Sequence, residues 1–353
     1  MNAEIITIKQ FDPLTASREE WVRYHEFRKL KQKEENPNDP ISSDESCENS
    51  IKANVQYPEA DIKLYYVLHT RTNKQIGEFD QAVINEVSPS YEATKHLIQF
   101  SIYILPEYRL QGIGSELLKM ITSEALKRKK SLLITNTDCL SGKAFLEKIG
   151  AQIALAGVEN RLLLENIDWS MVEQWVHEGE KRSPTSKIDV FTTIPDEIIE
   201  AYCNAYTEVV NQQPLGELDV GQIITTPEIY RQQEKMFVEM GRIWMTMICT
   251  EADGSISGLT EVRYNPSRDT IISQLMTGVI SEYRGRGIGK WLKAAMLLKI
   301  REEFPKVKTI TTGNANSNAP MLSINNRLGF KMHKESINAQ IYVEKVAKYL
   351  NLS

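Results

Sequence analysis

Hydrophobic and polar positions along this chain pass through one order of elements and then pass through it again. Glu4 to Gln10 alternate as a short opening strand, and Thr15 to Ser17 offer a helix start. Trp21, Tyr24, Phe27 and Leu30 then fall on one helical face, which predicts an amphipathic helix with a packed side. Pro37 to Pro40 end it, and Ser42 to Ser50 reads as a polar loop. Leu64 to His69 and Ile76 to Ile84 are rich in β-branched and aromatic residues and flank the turn Thr70 to Lys74, the pattern of a hairpin. His96 to Leu105 is a third strand, followed by a glycine turn and a helix from Gly114 to about Arg128. Leu132 to Thr135 and Leu140 to Gly150 add a strand and a helix that closes at its glycine.

The second pass begins at Ile188 to Thr193, a strand like the opening one. Pro195 to Val210 and Thr226 to Glu239 are helices, with the turn-rich acidic segment Asn211 to Asp219 after the first. Ile243 to Cys249, Ile256 to Tyr264 and Thr270 to Ile280 are strands, and the helix from Gly289 is stopped by Pro305. Glu165 to Gly179 reads as a helix with Asp168 or Ser170 as N-cap, and Lys181 to Lys187 is polar with a proline. The chain therefore divides into residues 1–165, a linker helix and loop over 166–186, and residues 187–353.

Each pass turns from strand to helix on the same residues. Ile104-Leu-Pro-Glu-Tyr-Arg-Leu-Gln-Gly-Ile-Gly114 aligns without a gap on Val279-Ile-Ser-Glu-Tyr-Arg-Gly-Arg-Gly-Ile-Gly289. Glycine removes the Cβ that keeps a ligand off the backbone, so successive N–H groups at a helix N-terminus can face an anion such as a pyrophosphate. Both copies carry Arg-x-x-Gly-x-Gly, which is neither the dinucleotide fingerprint nor the P-loop.

At these residues the chain resembles the GNAT superfamily of acyl-CoA-dependent N-acyltransferases, through Arg109, Gly112 and Gly114 in the first half and Arg284, Gly287 and Gly289 in the second. A second landmark of that family is matched by Asn318 and by Gly329-Phe330, while Met321 and Asn325 stand at its alanine and tyrosine places. In the first half Cys139 and Leu146 stand at the asparagine and tyrosine places. The resemblance implies an α+β fold of two tandem GNAT-like domains, each a mixed, mostly antiparallel sheet flanked by helices. It implies acetyl-CoA as co-substrate and a small-molecule primary amine as acceptor. Thr277, Gly278 and Val279 would bind the pantetheine arm, Arg284, Gly285, Arg286, Gly287, Ile288 and Gly289 the pyrophosphate, and Asn318 the pantetheine or cysteamine region. Ile104, Arg109, Gly112 and Gly114 are the corresponding positions of the first half, which would bind CoA without catalysis. The loop after the Pro195 helix is a candidate acceptor wall, with a plain helix connection as the alternative.

Acyl transfer to an amine needs a route for the amine's proton and often an acid for the leaving thiolate. Glu261 is the candidate base, because it lies on the strand next to the cofactor strand and its first-half counterpart, Asp80, is also acidic. An exposed carboxylate in a salt bridge is the competing account of Glu261. No acid can be assigned. Two other functions stay open: acetylation of a cysteinyl amine, as in the similar two-domain mycothiol synthase architecture, and non-catalytic sensing of acyl-CoA.

Composition narrows the class further. With 353 residues, 41% hydrophobic and 25% charged, the chain has the make-up of two globular domains. A formal net charge of −5 argues against nucleic-acid binding, and the cations Lys127 to Lys130 complement a helix C-terminus. Cys47, Cys139, Cys203 and Cys249 form no C-x-x-C pair, and none of the five histidines has metal-ligand spacing, so no metal is expected. The N-terminus lacks a secretory pattern and no apolar run reaches membrane-spanning length, so a cytoplasmic protein with no membrane partner is expected. The oligomeric state stays open.

Overall fold

A computed structural model describes residues 6 to 352, which pack into two compact units. The first comprises the described residues up to Leu155, with Gly216–Gly221 and the chain from Ser336 onward; the second comprises Ala156–Leu215 and Gln222–Glu335.

In chain order the first half carries β1 (Ile6–Phe11), α1 (Arg18–Glu35), α2 (Asp44–Val55), β2 (Ala60–His69), β3 (Gln75–Ile84), α3 (Tyr91–Thr94), β4 (Leu97–Ile104), α4 (Ile113–Lys127), β5 (Leu132–Thr137), α5 (Leu140–Lys148) and β6 (Gln152–Leu163). Of the opening strand expected from Glu4, the part before Ile6 lies outside the described residues. The second half carries α6 (Trp169–Arg182), β7 (Lys187–Phe191), α7 (Ile199–Asn211), α8 (Pro227–Glu239), β8 (Ile243–Thr250), β9 (Ile256–Tyr264), β10 (Ile271–Val279), α9 (Ile288–Glu303), β11 (Thr309–Ala315), α10 (Ala319–Leu328), β12 (Lys331–Tyr342) and α11 (Val343–Tyr349).

In the first unit the strands run β1-β2-β3-β4-β5-β12, antiparallel except for β4 and β5. One core gathers Leu117, Leu118 and Ile121 of α4 with Val67, Phe79 and Ile98 of the sheet. A smaller cluster of Phe11, Trp21, Tyr66 and Leu68 holds α1, whose cap is a reciprocal pair between Ser17 and Glu20. The stretch Ser42 to Ser50, expected as a loop, is mostly α2. Ser43 caps it by accepting from the Ser46 N–H, and its buried residues are only Ser50 and Ala53, so it has no apolar stripe for a periodicity argument to find.

In the second unit the order is β6-β11-β10-β9-β8-β7, again with one parallel pair, β10 and β11. On one face Trp175 of α6 and Trp291, Leu292 and Leu297 of α9 pack with Met245, Val262 and Ile310. On the other, Tyr202 and Val209 of α7 and Tyr230 and Phe237 of α8 pack with Trp244, Ile248 and Leu259.

The membership differs from a chain divided at 165 and 187. Stretch 166–186 contains α6, a core helix of the second unit, because Val172 and Trp175 are buried. The β6 residues 157–163 pair with β11, whereas β12 pairs with β5 from Ile337 to Tyr342. Each unit thus takes an edge partner from the other half of the sequence. No helix among the described residues is long and apolar enough to cross a membrane.

Candidate functional site

Two left-handed residues shape each strand-to-helix turn. In the second unit they are Gly285 (φ 81°) and Gly287 (φ 84°); in the first they are Leu110 (φ 59°) and Gly112 (φ 86°). Gly287 and Gly112 are the N-caps of α9 and α4 and supply no side-chain cap. The Trp291 N–H reaches back to the Gly287 carbonyl, so those of Ile288, Gly289 and Lys290 have no intrahelical acceptor. The first turn of α9 holds no acid, whereas that of α4 carries Glu116. An anion is favoured more at the second cradle than at the first.

The arginines of the motif serve the turn itself. Arg284 Nε donates to the Val279 carbonyl at 3.3 Å, and Arg109 Nε donates to the Ile104 carbonyl at 2.9 Å. Arg284 Nη2 goes to Gln212, and Arg286 Nη2 is held by Ser183 Oγ, Ser186 Oγ and Glu251. These guanidinium groups are engaged with the protein, so the backbone N–H groups are what the cradle offers.

Strand β10 leads into this turn along an open edge. Its parallel pairing with β11 covers only Ile271 to Ser273 against Thr309 to Thr311. From Gln274 to Val279 that edge has no strand partner among the described residues, while the other edge stays paired with β9. Thr277, Gly278 and Val279 therefore present backbone groups where an extended ligand arm could add to the strand. A Cβ on Gly278 would lie 2.0 Å from Val209 Cγ1, so glycine is needed there for α7 to close on the strand. Asn318 caps α10 by accepting from the Met321 N–H at 3.4 Å, which leaves its amide nitrogen outside the cap.

β10 also carries a bulge. Gln274 pairs with Val262 and Thr277 with Thr260, so Leu275 and Met276 face Glu261 alone. Gln274 Nε2 pins the irregularity by donating to Thr260 Oγ1 at 2.9 Å and to the Glu261 carbonyl at 2.8 Å. Glu261 is 1% exposed, not the solvated salt-bridge carboxylate that was the competing expectation. Tyr202 donates to its Oε1 at 2.8 Å, and Tyr230 donates to Tyr202 at 3.1 Å. Its Oε2 closes no hydrogen bond among the described residues. Burial pushes its pKa up to about 7, against the pull of the Tyr202 hydrogen bond.

A second buried polar group lies on the α9 side, and periodicity gave no hint of it. Lys293, 2% exposed, donates to Asn325 Oδ1 at 2.7 Å, and Asn325 Nδ2 donates to Asn314 Oδ1 at 2.8 Å. Asn160 Nδ2 reaches the same Asn314 oxygen at 3.4 Å. Burial alone pushes the Lys293 ammonium down to about 7. The one legible sign was a lysine among the apolar residues of a core helix.

The first unit lacks the bulge and the buried lysine. Its β3 and β4 pair without a shift, Asp80 opposite Ser101. Burial, with Glu78 nearby, raises Asp80 to about 6. The last turns of α1 lay charge over this region: Lys31 binds Glu78 at 2.6 Å, and Glu34 binds Arg109 at 2.8 Å and also takes the Tyr103 hydroxyl. Cys139 caps α5, its Sγ accepting from the Gly142 N–H at 3.3 Å. Leu218 of the expected acceptor loop belongs to this unit's core, where it packs with Val220, just past that loop, against Leu97, Leu132 and Ile134. Among the described residues no group of three or more His, Cys, Asp or Glu is placed to hold a metal ion.

No protein-family model and no curated protein matches the chain. Solved structures do. A tandem GNAT protein from the clavulanic acid biosynthesis pathway, solved without acetyl-CoA, is 19% identical with a TM-score of 0.73, over 96% of this chain and 98% of that one. A GCN5-related N-acetyltransferase from Sphaerobacter thermophilus is 14% identical with a TM-score of 0.61, over 96% of both chains. A glucosamine N-acetyltransferase region of a fungal multi-domain GH3 β-N-acetylglucosaminidase is 12% identical with a TM-score of 0.64, over 96% of this chain and 38% of that one. The repeated element order, the two glycine turns and these alignments establish one architecture: the chain has the tandem GNAT fold.

Proposed function

We propose that this protein is an acetyl-CoA-dependent N-acetyltransferase whose second unit carries the reaction and whose acceptor is a primary amine on a small molecule. The observation that carries this reading is the open edge of β10, which runs from an uncapped helix N-terminus to a bulge facing a buried carboxylate. The N–H groups of Ile288, Gly289 and Lys290 suit a pyrophosphate, and the free backbone of Thr277 to Val279 suits an amide-containing arm. When bound, acetyl-CoA would supply an activated acetyl thioester.

Glu261 is the base in this reading. A carboxylate with its pKa near 7 is half ionised at neutral pH and can accept a proton from an ammonium acceptor. The Tyr202 and Tyr230 hydroxyls form a hydrogen-bonded chain ending on its Oε1 and would relay the proton in this reading. The first unit would bind CoA without turnover, since α1 fills the corresponding side with Lys31 and Glu34. A cytoplasmic location suits a reaction that draws on acetyl-CoA.

The test is thiol release from acetyl-CoA against a panel of amines that includes amino sugars, polyamines and cysteinyl compounds. Wild type is compared with Gly287→Glu, which places a carboxylate and a strained side chain at the second cradle, and with Gly112→Glu at the first. A loss of a hundredfold or more in Gly287→Glu, with a far smaller loss in Gly112→Glu, is expected. Equal losses would move catalysis away from the second unit. Acetyl-CoA binding without release for any amine would replace the enzyme by an acyl-CoA sensor.

A further inference from the structure

The internal repeat isolates an insertion. In the first repeat α1 and α2 are joined by Asn36 to Ser43, which stays within the first unit. In the second, α7 and α8 are joined by Gln212 to Thr226, a much longer run whose middle, Gly216–Gly221, is part of the first unit. Long connections without secondary structure are ordinarily functional or disordered. This one is tied down.

The first unit is built to take that middle segment. Alternation along β4 and β5 sends Ile98 and Leu133 to the α4 core and Leu97, Leu132 and Ile134 to the opposite face, where Leu218 and Val220 pack on them. Gln340 of β12 is 6% exposed and gives both ends of its amide to the same segment. Its Oε1 accepts from the Asp219 N–H at 3.0 Å, and its Nε2 donates to the Glu217 carbonyl at 2.8 Å. The Glu217 N–H donates to the Ala154 carbonyl at 2.9 Å. Gly216 and Gly221, at the two ends, are left-handed; a Cβ would lie 2.3 Å from the Ala154 carbonyl oxygen at the first and 2.4 Å from Ala93 Cβ at the second. Apolar contacts, backbone hydrogen bonds and glycines fix one docked position.

The flanks of that segment border the candidate site of the second unit. Before it, Gln212 Nε2 donates to Ser281 Oγ at 3.1 Å, at the foot of the glycine turn, and Gln213 Nε2 to Met276 Sδ at 3.2 Å, on the bulge. After it, the Asn211 carboxamide accepts from the Ile223 N–H at 2.9 Å and donates to the Ile223 carbonyl at 2.7 Å. The Thr225 N–H donates to Thr207 Oγ1 at 3.0 Å, which brings the chain back to α7. Glu261 meets Tyr202 of α7, with Tyr230 of α8 behind it. In the reading above, an amine that gives its proton to Glu261 comes to the face that α7 and α8 cover, and the run between them borders that face.

We propose that Gly216–Gly221 is a strap that fixes the α7–α8 connection for acceptor binding, with Leu218, Val220 and Gln340 as its positioning residues. A mobile connection would have to be ordered each time an acceptor bound, at a cost in affinity; the strap orders it during folding instead. The effect falls on the acceptor, because the cradle and the open edge of β10 hold the acyl-CoA without the strap. This rests on the acyl-CoA reading above.

The experiment compares wild type with the double variant Leu218→Ala, Val220→Ala. Gln340→Leu removes the grip on the backbone and keeps the apolar contacts, should the double variant lose its melting transition. Amide hydrogen exchange is followed at Ile223 and Thr225, whose N–H groups report the return to α7. Initial rates are measured with the amine of the panel that wild type acetylates fastest, and desulfo-CoA affinity in parallel. The expected result is exchange at Ile223 and Thr225 faster by about tenfold or more and an acceptor KM higher by about tenfold or more, with kcat and desulfo-CoA affinity within about twofold of wild type. Unchanged exchange, or faster exchange with an unchanged acceptor KM, overturns the strap while leaving the acyl-CoA reading intact. A fall in kcat and desulfo-CoA affinity alongside the rise in KM marks a general loss of structure and overturns it too. No turnover of any amine by wild type overturns the enzyme reading and this inference with it.

Discussion

Two side chains in the second unit are ionisable, buried and shifted toward neutrality from opposite directions, and each makes a separate prediction. Glu261 has a folded pKa of about 7 against an ordinary 4.5. Between those values the native state holds a proton that the unfolded state has lost, so its contribution to stability falls as pH rises through that window. Glu261→Gln should therefore gain stability relative to wild type above about pH 7 and gain nothing below pH 4.5, read from paired denaturation curves. The same change should lower kcat/KM by on the order of 10²–10⁴ and remove an acidic limb centred near pH 7 from the rate profile. Lys293 has a folded pKa of about 7 against 10.5. Between those values the unfolded state holds the extra proton, so stability rises with pH. Lys293→Leu should stabilise most below about pH 7, with the gain fading toward pH 10.5; a pH-independent difference in melting temperature would contradict burial as the cause. Glu261 could be singled out in the sequence because it is acidic in both repeats. Its environment could not, because Tyr202 and Tyr230 come from helices α7 and α8, separated from it by 59 and 31 residues of chain.

The glycine turns show how much an element reveals of itself. Their left-handed positions follow from local sterics, so Gly287 and Gly112 could be read without knowing the fold. The role of Gly278 could not. Its φ lies outside the left-handed range, and its reason is the approach of Val209 from α7. Gly278→Ala should cost about 1–3 kcal/mol, because the new methyl must displace either α7 or the strand that carries the open edge. Chemical denaturation measures it, and a loss below the experimental error would mean that α7 shifts freely. The bulge at Leu275 and Met276 was equally hidden, since alternation along β10 does not say which partner residue is skipped. Helix α2 escaped notice for a different reason: it is held by a serine cap and buries small residues instead of an apolar stripe.

At the scale of the molecule, the last strand of the sequence completes the first unit. Strand β5 pairs with β4 over only three residues and with β12 over six, from Leu132 to Thr137. Ile337, Ala339, Ile341, Val343 and Val346 also enter the first unit's core. Ending the chain after Glu335 should strip hydrogen-exchange protection from the β5 amides while β9 keeps its own; protection retained in β5 would show that β12 is dispensable there. The sequence alone determined the repeated strand-to-helix passage and both glycine turns, because hydrophobic periodicity and the steric freedom of glycine act over a few neighbouring residues. Tertiary structure alone decided which strands complete each unit, that β10 leaves an edge open, and that Glu261 and Lys293 are driven toward neutrality. Pairing and desolvation depend on what residues distant along the chain bring to the same place, and no local pattern carries that.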